Sequence, residues 1–240
     1  RRQRQMCIRD RNLSVSVITE KDKKHLEFGT KHDVDFVAVS FVRNASDIKT
    51  VRDLVPNDIK VIAKIELKAA LDNIAEILDV ADGVMVARGD LGVQLPLEQV
   101  PFVQKQILDA ANKKGKISIT ATEMLQSMKS SYSPTRAEVT DITNAILEGS
   151  DAVMLSAETS IGDNPNRVVE VMSLICKETD SKNDTSSLLS KEDTSEDSTA
   201  TLARAAVQIA NEIQAKAIVA FTETGRTPLL ISNFRPQAEI

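Results

Sequence analysis

Five apolar runs of strand length recur through the first two thirds of the chain, each followed by a stretch of helical period. The runs are VDFVAVSF near residue 35, KVIAKIE at 60–66, GVMVARGD at 83–90, ISITATEM at 117–124 and DAVMLSAE at 151–158. Near-continuous hydrophobicity predicts parallel strands buried on both faces, and the amphipathic stretches between them, such as Leu97–Lys113, predict crossover helices. A repeated βα unit with polar residues at the C-terminal ends of its strands suits part of a (β/α)8 barrel. Closure needs eight strands and five are present, so an open doubly wound sheet is the alternative reading of the same pattern.

After Glu178 the pattern gives way to a segment rich in Ser, Thr, Asp and Glu that reads as a linker over 180–199. Beyond it, ATLARAAVQIANEI has helical periodicity, KAIVAFT reads as a buried strand, and TETGRTPLLISNF reads as a polar turn entering a helix. The expected organisation is a barrel portion over 19–179, the linker, and the start of a second α/β domain over 200–240. Residues 1–18 are expected to be disordered or foreign to the fold. With 240 residues, 42% of them hydrophobic, the chain can bury one large core and a smaller satellite.

Composition narrows the function. A formal net charge of −5 argues against a broad nucleic-acid surface, and the basic first dozen residues are too short to change that. No apolar run is long enough to predict a membrane span. Cys7 and Cys176 have neither metal-ligand spacing nor the count of a disulfide framework, which fits a reducing, cytoplasmic setting.

Chemistry concentrates at successive predicted strand ends, where Lys64, Glu66, Arg88, Asp90 and Thr122 would share one rim. Lys64 and Glu66 are two apart on a strand, so they share a face and Ile65 takes the other. A Glu and an Asp from neighbouring strands can bind one hard divalent cation such as Mg2+, and a lysine beside them can neutralise charge on a transferring phosphoryl group. Ordinary ion pairs, Lys64 with Glu66 or Arg88 with Asp90, are an equal reading of these residue types. Gly89 and Gly92 flank Asp90 where a strand can give way to a helix, and exposed backbone amides there suit a small carboxylate. His25 and His32 fall at no strand end and read as surface or loop-packing residues, not catalysts. Met124, Met128, Met154 and Met172 read as core fillers.

Taken in order and at their intervals, KIE, MVARGDLGV, ITATEMLQSM, PTRAEVTD and AILEGSDAVMLSAET resemble the barrel of the pyruvate kinase family. The likeness runs from about Thr19 to Thr179 and resumes near Ala203. It implies the last five strands of a (β/α)8 TIM barrel followed by the start of the family's C-terminal domain. It further implies phosphoryl transfer from phosphoenolpyruvate to ADP, with Lys64 contacting the transferred group. Glu66 and Asp90 inherit the divalent metal, Mg2+ or Mn2+. Gly89, Asp90 and Thr122 inherit the substrate carboxylate, with Thr122 also helping to deliver a proton to the enolate carbon. Arg136 matches an arginine at the family's subunit interface, and a homotetramer is implied. K+ is implied too, with ligands outside this chain. The loop formed by Thr222, Thr224, Gly225, Arg226 and Thr227 resembles the place where many members bind a sugar-phosphate effector, although a plain polar turn reads equally well.

Three positions depart from the common family pattern: Leu67 where asparagine is usual, Glu123 where glutamine is usual, and Ala157 where glycine is usual. They neighbour the expected site and are not among its metal ligands. The family's first three strands and its lid domain would precede Thr19, so the 240-residue chain alone is expected to lack kinase activity. A metal-dependent lyase or aldolase acting on pyruvate enolate, or a non-catalytic oligomerisation module, are the rival readings.

Overall fold

The computed structural model describes residues 18–182 and 198–240, so the expectations for residues 1–17 and for most of the linker lie outside the described residues. The chain divides into two compact units with the boundary after Thr179.

The first unit opens with α1 (Glu20–Lys31), whose first turn is closed by a reciprocal capping box between Thr19 and Asp22. Then follow β1 (Phe36–Val39), α2 (Ala45–Arg52), β2 (Lys60–Ile65), α3 (Lys68–Asp72), α4 (Ile74–Val80) and β3 (Gly83–Ala87). The chain continues through α5 (Arg88–Gln94), a 3-10 turn at Leu97–Gln99, α6 (Val100–Lys113), β4 (Ile117–Ala121), a second 3-10 turn at Gln126–Lys129, α7 (Arg136–Leu147) and β5 (Ala152–Met154). α8 (Ala157–Ser160) and α9 (Pro165–Lys182) end this stretch. All four strand pairings are parallel, and the spatial order β1-β2-β3-β4-β5 is the chain order. A doubly wound sheet reverses its strand order at a switch point. Strictly sequential order has no reversal, so the sheet is a segment of a singly wound barrel wall.

Alternation along the strands sorts side chains into two layers. Val61, Ala63, Ile65, Val84 and Val86 join one core with Ile48, Val51, Ile77, Leu78, Ile107 and Leu108 from the flanking helices. Ile62, Met85 and Ala121, backed by Ile119 and Met154, form a second, smaller core on the opposite face. Met124, Met128 and Met172 are buried in a third cluster with Ile142 and Ile175, as core fillers should be. β3 is buried along its whole length. β1 is not: Phe36 is 54% exposed and Val39 only 4%, because β1 and β5 each pair on one side among the described residues. The expectation of burial on both faces therefore fails for the first run and for the fifth, where Ala152 is exposed and Val153 and Met154 are half-buried. The third and fifth runs are also shorter as strands than expected, since the backbone turns helical at Arg88 and leaves the sheet after Met154.

The amino ends of the strands are locked by a repeated device. Asp82, just before β3, accepts from the Val61 amide at 2.8 Å and pairs with Arg52. Asp151, just before β5, accepts from the Ser118 amide at 2.8 Å and from its hydroxyl at 3.0 Å. Each carboxylate thus ties the start of one strand to the start of the strand before it. Burial would raise the Asp82 carboxyl, but the Val61 amide and the Arg52 guanidinium outweigh it and hold it below the ordinary aspartate range. Gly83 is required by space: a Cβ there would lie 2.6 Å from the Ile117 carbonyl oxygen and 2.8 Å from Ile62 Cδ1.

In the second unit α10 (Ser198–Glu212) packs on α11 (Arg226–Asn233) through Ala203, Val207 and Ile231. Arg204 lies over the Phe234 ring at 5.7 Å. The strand expected at KAIVAFT is reduced to a single parallel bridge, Ala217 to Glu239, with Val219 and Phe221 exposed. A strand needs a paired edge along its length, and among the described residues only this bridge supplies one. Among the described residues no helix is long and apolar enough to cross a membrane.

Candidate functional site

The carboxyl ends of β1 to β4 bring the expected residues to one rim. On β2, Lys64 follows Ile62 at the two-residue step, which turns it to the face away from the helices. Its Nζ lies 2.6 Å from Glu66 Oε1 and donates to Ser40 Oγ at 2.9 Å. Glu66 is 1% exposed, and its Oε2 accepts from the Phe41 amide at 2.7 Å. A buried carboxylate is tolerable only when such partners replace water, and here an ammonium and an amide do so. Each carboxylate oxygen keeps lone-pair capacity for a further ligand. The ion pair between Lys64 and Glu66 does form, so the pairing reading and the site reading describe the same contact.

Just beyond β3, Arg88 is not paired with Asp90. Its guanidinium, with only 10% of the side chain exposed, meets Asp141 Oδ1 at 2.7 Å and donates to the Thr122 carbonyl oxygen at 2.6 Å. The helical turn begun at Arg88 carries Arg88 inward, while Gly89 and Asp90 are exposed. Asp90 sits in the first turn of α5 as an open carboxylate at the rim.

β4 delivers Thr122 in an unusual backbone. Thr122 has φ 72° and the next residue, Glu123, φ 58°. Left-handed conformations cost a non-glycine residue roughly 1–2 kcal/mol, and a branched Cβ makes Thr122 the harder case. What holds it is visible: Gly89 N–H donates to Thr122 Oγ1 at 2.8 Å, Thr122 Oγ1–H donates to the Ala121 carbonyl at 2.6 Å, and Arg88 grips the Thr122 carbonyl. Phe41, at the end of β1, is also left-handed, with φ 56°. Strain of this kind gathers where surrounding contacts over-determine the backbone, commonly at functional sites.

Behind the rim, Glu138 organises the segment after β4. It closes a capping box on Thr135 at the start of α7 and accepts from Ser127 N and Ser127 Oγ, both at 2.6 Å. Burial would raise this carboxyl, but the hydroxyls and amides of Ser127 and Thr135 together hold it below the ordinary glutamate range. Arg136, the first residue of α7, is exposed. Glu158, 1% exposed, accepts from Leu125 N at 3.3 Å and Ser156 N at 2.8 Å, tying the β4 turn to the end of β5. His25 and His32 are exposed, as expected, and His32 lies against Phe28 with ring centroids 4.3 Å apart.

Sequence reasoning assigned no role to Ser40, Phe41, Asp141, Glu138 or Glu158. Ser40 and Phe41 close the first apolar run at the same rim, so their position was a usable signal. The Thr135-x-x-Glu138 spacing is a capping-box signature. Nothing in the sequence marked Asp141 as the partner of Arg88.

In the second unit Gly225 has φ 78°, and its amide donates to Thr222 Oγ1 at 3.0 Å immediately before α11 begins at Arg226. Thr222, Thr224 and Arg226 are exposed there, and Thr227 is partly so.

The donor set suits a hard divalent cation: two carboxylates just beyond the ends of the neighbouring strands β2 and β3, one of them open to solvent. Among the described residues no group of three or more His, Cys, Asp or Glu is arranged to hold a metal, so such an ion would take its remaining ligands from water or substrate.

Sequential parallel strands, with an ammonium, two carboxylates and a strained threonine where they end, define a βα-barrel domain with a charged site at its carboxyl rim. Two family models match the chain: the pyruvate kinase barrel domain over residues 2–169 and the pyruvate kinase alpha/beta domain over residues 200–240. The chain belongs to the pyruvate kinase family. The barrel match begins ahead of Thr19. A pyruvate kinase of Clostridium perfringens is 43% identical over 236 residues, covering 95% of this chain and 50% of the relative. One of Dictyostelium discoideum is 42% identical over 238 residues, covering 95% of this chain and 47% of the relative. A solved structure of a pyruvate kinase from Cryptosporidium parvum superposes with a TM-score of 0.87 at 39% identity, covering 95% of this chain and 49% of that one. The chain spans about half the length of these relatives.

Proposed function

We propose that the protein carrying this chain transfers the phosphoryl group of phosphoenolpyruvate to ADP, giving pyruvate and ATP. The observation that carries this reading is the rim itself. Lys64 is held at 2.6 Å from buried Glu66 at the end of a central strand, and adjacent strands supply Asp90 and Thr122. Removing phosphoryl from phosphoenolpyruvate leaves an enolate, so negative charge must be stabilised on phosphoryl, enolate oxygen and carboxylate together. Lys64 is assigned to the transferring phosphoryl group. Glu66 and Asp90 are assigned to Mg2+ or Mn2+, which would supply positive charge to offset the negative charge developing on the substrate.

Gly89, Asp90 and Thr122 are assigned to the substrate carboxylate. The Gly89 amide already donates to Thr122 Oγ1, which supports one unit built from both. Thr122 is also assigned to proton delivery at the enolate carbon, and for that its hydroxyl must give up its bond to the Ala121 carbonyl. K+ belongs to the proposal as a cofactor, with no residue of this chain assigned to it.

A homotetramer with Arg136 at a subunit contact is part of the same reading, and its exposure on α7 supports it. The loop from Thr222 to Thr227 is proposed to take a sugar-phosphate effector, supported by a glycine turn, hydroxyls and an arginine at a helix start. The domain division proposed is a barrel portion over 19–179, a linker over 180–199 and a regulatory domain from residue 200, in a cytoplasmic enzyme.

The test is a coupled assay on the protein expressed from its complete gene, run with phosphoenolpyruvate, ADP and Mg2+. ATP formation is expected. Pyruvate release from a larger keto acid, with no ATP formed, would instead select a lyase.

A further inference from the structure

Arg88 stands apart from the groups assigned to substrate or metal, yet its side chain joins separate parts of the rim. It is the first residue of α5, its guanidinium is nearly buried, and its fork spans two elements: NH1 meets Asp141 on α7 at 2.7 Å, and NH2 meets the Thr122 carbonyl at 2.6 Å. NH2 also lies 3.5 Å from Met124 Sδ, while Nε is buried without a hydrogen-bond partner. The carbonyl it holds belongs to a threonine with φ 72°, a backbone that threonine rarely adopts unaided. In that conformation Thr122 Oγ1 faces the amide of Gly89, the residue next to Arg88, at 2.8 Å.

We infer that Arg88 is a positioning residue: anchored by Asp141, it pins the Thr122 carbonyl and so holds the Thr122 hydroxyl against the Gly89 amide. α7 then grips the segment after β4 at both ends, through Arg88 and Asp141 at Thr122 and through Glu138 at Ser127. A planar fork is needed to reach the carboxylate and the carbonyl together. A lysine ammonium could keep the charge near Asp141 but not the paired geometry. The consequence for substrate rests on the proposed kinase reading, in which Gly89 and Thr122 take the carboxylate of phosphoenolpyruvate.

The experiment uses the protein expressed from its complete gene, with Arg88→Lys and, as a second and milder variant, Asp141→Asn. Backbone hydrogen exchange is measured at Gly89 and, as controls, at Ala63 and Val84 inside β2 and β3. At least tenfold faster exchange at Gly89 with the controls unchanged is expected in both variants. The KM for phosphoenolpyruvate should rise at least tenfold while the KM for ADP stays within about twofold. Unchanged Gly89 exchange in a folded variant overturns the inference, as does equal acceleration at all three amides, which marks a merely structural residue. A faster Gly89 with an unaltered KM for phosphoenolpyruvate in an active enzyme also overturns it. If the unsubstituted protein transfers no phosphoryl group, the kinase reading falls, and exchange at Gly89 still decides whether Arg88 positions the turn.

Discussion

Replacing Glu138 by glutamine tests how much of the rim's geometry is held from behind. The carboxylate accepts from Ser127 N and Ser127 Oγ at 2.6 Å, from Thr135 N at 2.8 Å and from Thr135 Oγ1 at 3.0 Å. Glutamine presents one acceptor oxygen and an NH2 group that faces donors. One backbone amide, at Ser127 or at Thr135, therefore loses its partner, and the other loses the charge on its acceptor. Hydrogen bonds to charged groups contribute about 1.5–3 kcal/mol, and a helix N-cap about 1 kcal/mol. A loss of about 2–3 kcal/mol is expected, confined to opening of the β4 turn and α7. Because 1.4 kcal/mol is a factor of ten, amide exchange at Ile142 and Ala145 should accelerate roughly 30- to 140-fold at neutral pH.

The pH dependence fixes the sign. The folded-state pKa of Glu138 is depressed, so its stabilisation is present above the unfolded glutamate value of about 4.3 and is lost as pH falls through the lower folded value. Glutamine does not titrate, so the gap between the two proteins should shrink as pH falls through that depressed folded value. Less than threefold acceleration at neutral pH, or a gap that widens in acid, would refute the reasoning.

Asp82→Asn should lower the urea midpoint at pH 7 by the equivalent of about 1–3 kcal/mol, since it weakens acceptance from Val61 N and the pair with Arg52. The Asp82 pKa is likewise depressed, so the deficit should shrink as pH falls through its folded value. Gly83→Ala should cost about 1–3 kcal/mol by forcing β3 from β4, whereas Gly225→Ala, with open space but φ 78°, should cost about 1 kcal/mol and only in the second unit. Thermal melts separate these two. Lys64→Met should cut phosphoryl transfer by at least about a hundredfold in the complete protein, and near-normal steady-state turnover would reject its assignment.

The barrel wall was legible because parallel strands buried on both faces leave long apolar runs, and helical periods between them are hard to mistake. Run length overshot strand length at Arg88, because a residue can leave the sheet while the apolar pattern continues. Burial of β1 was misread because hydrophobicity reports what a strand can cover, not whether a neighbour covers it. Lys64 and Glu66 were readable from two-residue spacing. Arg88 was placed at the rim, but the ion pair with Asp90 that its residue types equally allowed does not form, since Asp90 is near in sequence and Asp141 is near only after α7 packs. The left-handed backbones at Phe41, Thr122 and Glu123 left no trace in residue type, because these are not the residues that favour such angles.

Chain order and spatial order coincide across all five strands, and registered neighbours such as Ile62 and Gly83, or Gly83 and Ile117, are roughly 20 to 35 positions apart. None of these four pairings has to wait for a distant segment. Each new strand emerging from the ribosome meets a partner already made, so the wall can assemble one βα unit at a time during synthesis.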